Sequence, residues 1–115
     1  MAPLVSAPWQ RRPPAGVPSR VPWHPGLFLN RHYLAPLALS QSEAARMLGL
    51  SRRRLHELVH GQRAMTTDTA LRCAIVFGAD AMFLLTLQSA WDSSRAWKRL
   101  RSQSLPARPP ARAAH

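Results

Sequence analysis

The sequence predicts an all-α domain of five helices set between Pro- and Arg-rich tails. Three observations lead there. No apolar–polar alternation of period two appears between Pro25 and Lys98, so no strand is expected. Cap residues of the right kind, Ser40, Ser51, Thr66 or Thr67, and Asp80, stand before four of the segments, and Gly49 and Gly78 stand after two. Within the segments, apolar residues recur at i, i+3 and i+4, the spacing that gathers them on one helical face.

The first helix opens at Pro25, a residue favoured at the first helical position. Leu27, Phe28, Tyr33 and Leu34 are expected to bury one face before Pro36 ends or kinks it. Ser40 and Glu43 form a capping box that starts the second helix, which runs through Ala44, Ala45 and Leu48 to a stop at Gly49. Leu50 crosses a tight turn, and Ser51 caps the third helix. There Leu55, Leu58 and Val59 form the inner stripe, and Arg53, Glu57 and His60 point the other way. After a loop from Gly61 to Met65, Thr66 or Thr67 caps a fourth helix with Asp68 in its first turn. Leu71, Ala74 and Ile75 are its expected apolar stripe, and Gly78 ends it. Asp80 caps the fifth helix, whose stripe of Leu84, Leu87 and Trp91 continues weakly toward Trp97.

One feature of the third helix works against its stability. The N-terminus of a helix is the positive end of its dipole, so each cation in the first turn costs about 0.3 to 1 kcal/mol. Arg52, Arg53 and Arg54 occupy that turn. A helix start so charged suits a polyanion, and two short helices joined by a tight turn are the helix-turn-helix arrangement that offers such a tip to DNA.

The composition agrees. The 115 residues carry a formal net charge of +11, and only 5 residues are acidic. The excess sits largely outside the helices. Residues 1–23 hold Arg11, Arg12 and Arg20 without an acid, and the end of the chain holds Lys98, Arg99, Arg101, Arg108 and Arg112. Segments this rich in Pro and Arg bury too little to order themselves, so the chain divides into a flexible tail (1–23), a helical domain (24–100) and a second basic tail (101–115). Nucleic acid, an acidic membrane surface or an acidic protein could each answer the charge. No apolar run reaches the length of a membrane span, and no secretory signal stands at the start. The lone Cys73 has no partner for an internal disulfide, which fits a reducing compartment.

Taken together, HPG at positions 24–26, LSQSEAARMLGLSRRRL in the middle, TTDTALRCAIVFG and FLLTLQSAWD resemble a HigA-type antitoxin, within the Cro/cI-like (lambda repressor-like) helix-turn-helix superfamily. The resemblance covers roughly residues 24–97. It implies a five-helix DNA-binding fold that binds a palindromic operator as a homodimer and represses its own operon in the bacterial cytoplasm. It also implies a protein partner, a RelE-like (HigB-type) mRNA-cleaving toxin that the chain neutralises. A stand-alone transcription regulator of the same fold is the alternative.

Position by position, the resemblance puts Arg52, Arg53 and Glu57 where base-contacting side chains sit and Gln41, Ser51, Arg54 and Arg63 near phosphates. Arginine can chelate guanine O6 and N7, and a carboxylate can accept from cytosine N4, so a half-site containing G and C is expected. Relatives commonly carry NGK or NGR after the recognition helix. Here His60, Gly61 and Gln62 stand there, which shifts the phosphate contact to Arg63 and leaves His60 as a DNA-facing imidazole. Leu87, Trp91 and Trp97 on the last helix either close the core or, on its outer side, form a dimer contact.

Catalysis has few candidates. His56 and His60 are spaced i, i+4 and could share a metal, but two ligands do not make a site, so no metal or cofactor is expected. Cys73 sits among core positions as a small hydrophobe rather than a nucleophile. No Gly-rich phosphate loop occurs. The sequence therefore predicts a binding protein and not an enzyme.

Overall fold

A computed structural model of the chain describes residues 12–103 and residue 105. Parts of both expected tails, 1–11 and 106–115, lie outside the described residues. Among the described residues there are five α-helices and no strand: α1 (Pro25–Leu29), α2 (Gln41–Leu48), α3 (Arg52–Val59), α4 (Thr67–Phe77) and α5 (Ala81–Leu100). A single π-helical segment, Asn30–Leu34, continues α1.

The caps are where the sequence puts them. Ser40 Oγ accepts from the Glu43 backbone N–H at 3.1 Å, and Glu43 Oε2 accepts from the Ser40 N–H at 3.2 Å. Ser51 Oγ accepts from Arg54 N–H at 3.1 Å, Thr66 Oγ1 from Thr69 N–H at 3.2 Å, and Asp80 Oδ1 from Phe83 N–H at 2.9 Å. Each such cap contributes about 1 kcal/mol by satisfying an amide that the helix leaves unpaired. Gly49 and Gly78 close α2 and α4 with φ of 70° and 71°, a conformation that a side chain would strain.

Two expected faces differ from the structure, the first in part and the second outright, each for a physical reason. On the first helix Leu27 is exposed rather than buried, Phe28 and Tyr33 are half-buried, and the fully buried pair is Leu29 and Leu34. Those two are five residues apart. The π segment, closed by Ala35 N–H donating to Asn30 O at 2.8 Å, inserts one residue per turn and shifts the register that α-periodicity assumes. On α4 the expected stripe of Leu71 and Ile75 faces solvent, with Ile75 82% exposed, and only Ala74 is half-buried. The buried stripe is Thr69, Ala70 and Cys73. This helix packs on both α2 and α5, so small residues go inside where the backbones approach, and its apolar residues lie on both sides of the exposed Asp68–Arg72 pair. Burial pushes the Cys73 thiol up to about 11, so it stays protonated as a core residue.

The core joins all five helices. Leu29, Leu34, Leu48, Leu55, Leu58 and Leu84 are almost wholly buried, and each burial of that kind contributes about 1.5–3 kcal/mol. α3 lies between α1 and α2, with Leu55, Leu58 and Val59 turned inward as their spacing predicts. Gly26 seats α1 directly on the backbone of α3 at Leu58. Before α1, Pro14 and Val17 line a hollow with Ser93, Ala96, Trp97, Leu100 and Leu105 of the C-terminal side.

Candidate nucleic-acid interface

Burying the inner stripe of α3 fixes which side chains remain outside. Arg52, Arg53 and His60 are exposed, Ser51 is exposed at the cap, and Arg63 follows in the loop. Gln41, at the start of α2, and Arg54 are half-buried. The sequence-expected set therefore lies on the first turns of α2 and α3 and the loop after α3, but its members are not equally free.

Arg53 projects into solvent, its side chain 90% exposed, and its Nε forms an ion pair with Glu57 Oε1 at 3.2 Å. Arg63 Nη2 reaches the same oxygen at 3.4 Å. Arg54 turns inward, and its Nη2 donates to Thr69 Oγ1 at 3.2 Å, bracing α3 against the start of α4. Among the described residues the side chain of Arg52 makes no ion pair or hydrogen bond. Gln41 and His56 join the two helices, His56 Nδ1 lying 3.0 Å from Gln41 Oε1. His60 Nδ1–H donates to the His56 carbonyl at 2.7 Å, and the two rings lie against each other tilted by 37°, with centroids 4.2 Å apart. The i, i+4 histidines are thus engaged with each other and with the helix-turn-helix frame.

Several residues that no sequence pattern singles out hold this surface in place. Arg72 Nη1 donates to the Leu48 carbonyl at 3.0 Å, taking up an unpaired oxygen at the end of α2, and its Nε pairs with Asp68 at 2.7 Å. Gln88, buried on α5, accepts from the Met65 N–H at 2.8 Å and donates to Asp92 at 2.9 Å, so the loop carrying Arg63 is tied to the last helix. No periodicity marks a buried glutamine in a stripe of leucines. Its signal is the backbone amide that the loop must satisfy somewhere.

His24 does most to position the loop. It is buried, its Nδ1 accepts from the Gly26 N–H at 3.0 Å as the cap of α1, and its ring meets Trp91 edge-on with centroids 5.3 Å apart. Gly61 lies against its other side. Burial lowers its pKa from 6.5, opposed in part by Asp92 and by its bond to the Arg63 backbone. A proton on Nδ1 would also remove the cap. The neutral ring is favoured in the folded state, so the unfolded chain binds the extra proton as pH falls. Stability should therefore be level above about 6.5 and decline below it, toward the lowered folded value. Urea melts between neutral and mildly acid pH check this, with His24→Asn as the control that keeps a capping side chain and loses the decline in that window.

Leu87, Trp91 and Trp97, the candidate dimer contacts, are each half-buried. Arg95 lies over the Trp91 ring at 5.8 Å, and Trp97 lines the hollow shared with Pro14 and Val17. Among the described residues no three His, Cys, Asp or Glu side chains are grouped to hold a metal, and no helix is long and apolar enough to cross a membrane.

Comparison with known proteins gives the same fold. The sequence model of the helix-turn-helix family matches residues 31–84, from the π segment to the start of α5. Virulence-associated protein I of Dichelobacter nodosus is 43% identical over 79 residues, which cover 69% of this chain and 73% of that one. Among solved structures, PA4674 of Pseudomonas aeruginosa in complex with its 28 bp operator DNA superposes with a TM-score of 0.66 at 30% identity, covering 70% of this chain and 89% of that one. An addiction module antidote protein of the HigA family from Coxiella burnetii gives 0.65 at 32% identity, covering 76% and 99%. The capped α2–turn–α3 unit is thus that of the Cro/cI-like helix-turn-helix family, a family of DNA-binding regulators and antitoxins rather than enzymes, and the chain belongs to it.

Proposed function

We propose that the chain is an antitoxin that represses its own operon at a palindromic operator and neutralises a RelE-like, HigB-type toxin in the bacterial cytoplasm. The observation that carries the DNA half is the tip of α3, where Arg52 and Arg53 stand exposed on the first turn despite the dipole cost. In this reading Arg52 and Arg53 enter the major groove with Glu57. Gln41, Ser51, His60 and Arg63 lie along the backbone, and Arg54 serves the frame as much as the phosphates. The toxin half rests on the likeness to the HigA-family antidote protein.

The operator reading also calls for two copies. One recognition helix reads about four base pairs, and a two-fold pair places two such helices about one DNA turn apart. The 28 bp operator of the PA4674 complex leaves room for such a pair. Leu71 and Ile75 lie one turn apart on the outer face of α4, 51% and 82% exposed, whereas Leu87, Trp91 and Trp97 are already half-covered by their own chain. We place the self-contact on the α4 face, with the α5 side chains as the competing site. Sedimentation separates them: Ile75→Asp should turn a dimer into a monomer and Trp97→Ala should not, and the reverse result would return the contact to α5.

Co-expression with the adjacent reading frame tests the whole. Growth arrest by the neighbour alone, rescue by this chain and co-purification of the two are the expected results. No arrest, with this chain still retarding its own promoter DNA, would leave a stand-alone regulator.

A further inference from the structure

We propose that Glu57 is a charge gate in the DNA-facing surface, a positioning residue that holds Arg53 and Arg63 away from arbitrary phosphates and presents Arg53 to guanine. This rests on the DNA-binding reading above and adds to it a device for discrimination. Glu57 is the only acidic residue between Glu43 and Asp68, a stretch that carries Arg46, Arg52, Arg53, Arg54 and Arg63. Its carboxylate is 25% exposed beneath the far more exposed Arg53, and a single oxygen, Oε1, receives both arginines. Exposed pairs of this kind contribute little to folding, so stability does not account for an acid placed on a surface that faces a polyanion. Repulsion from phosphates makes it a liability on nonspecific DNA, where no cytosine contact offsets it, unless it acts on the neighbouring arginines.

The geometry supplies that action. Arg53 is bound through Nε, which leaves its two terminal nitrogens as a fork for guanine O6 and N7. A guanine contact can therefore form with the Arg53–Glu57 pair intact, and the pair fixes the direction of the guanidinium. Arg63 is bound through Nη2, one of the nitrogens a phosphate would take, so the carboxylate competes with a phosphate for that nitrogen. Nonspecific binding, which comes almost entirely from phosphate neutralisation, meets that competition at every site. The operator offsets it with the guanine contact, and Glu57 Oε2, unused by either arginine, is available to a cytosine amino group.

The test compares the full-length chain with Glu57→Gln on a random-sequence duplex and on the chain's own promoter DNA, across a salt series. Asp80→Asn, distant in sequence and still able to cap α5, removes the same unit of charge and serves as the control. On the random duplex Glu57→Gln should bind about tenfold more tightly, with a salt slope steeper by about one to two as the two freed arginines engage phosphates. Asp80→Asn should show only a small rise and no change of slope. The preference for promoter over random DNA should fall by about tenfold in Glu57→Gln, because Arg53 loses its direction. Equal behaviour of the two variants on the random duplex would overturn the gate, whether or not the wild-type chain prefers its promoter. A wild type without that preference would instead count against the repressor reading.

Discussion

Gly26→Ala should lower the melting temperature by more than the same change at any other glycine of the domain. A Cβ at Gly26 would overlap the Leu58 carbonyl oxygen and lie 2.5 Å from its carbon, both backbone atoms of the last turn of α3. No rotamer can relieve such a clash, so α1 must lift from α3. Lifting it draws His24 out of its place against Gly61 and Trp91, where it also caps α1. Replacing Gly by Ala in a helix usually gains up to about 1 kcal/mol. Here overpacking against backbone reverses the sign, at a net cost of about 3 kcal/mol or more. For a domain of this size that corresponds to a fall on the order of 15 °C. A variant that melts within a few degrees of the parent would mean that α1 does not seat on α3 at this glycine. Because α3 carries the proposed DNA contacts, operator binding should fail together with the fold rather than separately.

Arg53→Ala should leave the fold intact and remove discrimination. The side chain is almost wholly exposed, and its one ion pair is a surface pair of small energetic weight. At an operator it is the candidate for bidentate guanine reading, a contact that discriminates by about 1–3 kcal/mol, or roughly tenfold to a hundredfold. Its loss also leaves the Glu57 carboxylate with Arg63 alone, turned toward DNA. Operator affinity should therefore fall by at least tenfold, whereas random-duplex affinity and its salt slope should change little, because Glu57 already keeps Arg53 from arbitrary phosphates. Equal losses on the two DNAs would reassign Arg53 to a phosphate. Arg54→Ala offers the contrast: with its Nη2 on Thr69, it should cost thermal stability before it costs specificity.

These two residues differ in how far the sequence makes them legible. The recognition helix can be read because its signals are local. Ser51 caps the helix, Leu55, Leu58 and Val59 set its rotation, and the remaining residues must then face outward. Arg52 and Arg53 follow from that rotation alone. Arg54 does not, since its inward turn depends on Thr69, fifteen residues away on another helix. The family resemblance assigns Glu57 to a base. The structure adds that it holds two arginines, one of them beyond the end of its helix. In the sequence His24 is only part of an HPG motif, and its partners come from three parts of the chain: Gly26 beside it, Gly61 and Arg63 in the loop after α3, and Trp91 on α5.

By itself, then, the sequence determined the number of helices, their starts, the glycine stops of α2 and α4, the all-α class and the helix that carries the arginines. Those properties depend on neighbours within a turn or two: caps, dipole ends and stripes of period 3.6. Only the tertiary structure decided which way α4 faces, that α1 widens into a π segment, which arginines are free, and how His24 and Gln88 hold the Arg63 loop. On α4 apolar residues lie on both sides of the exposed Asp68–Arg72 pair, so periodicity leaves two faces open and the rotation was chosen by how closely α2 and α5 approach. Small side chains permit that approach and large ones do not.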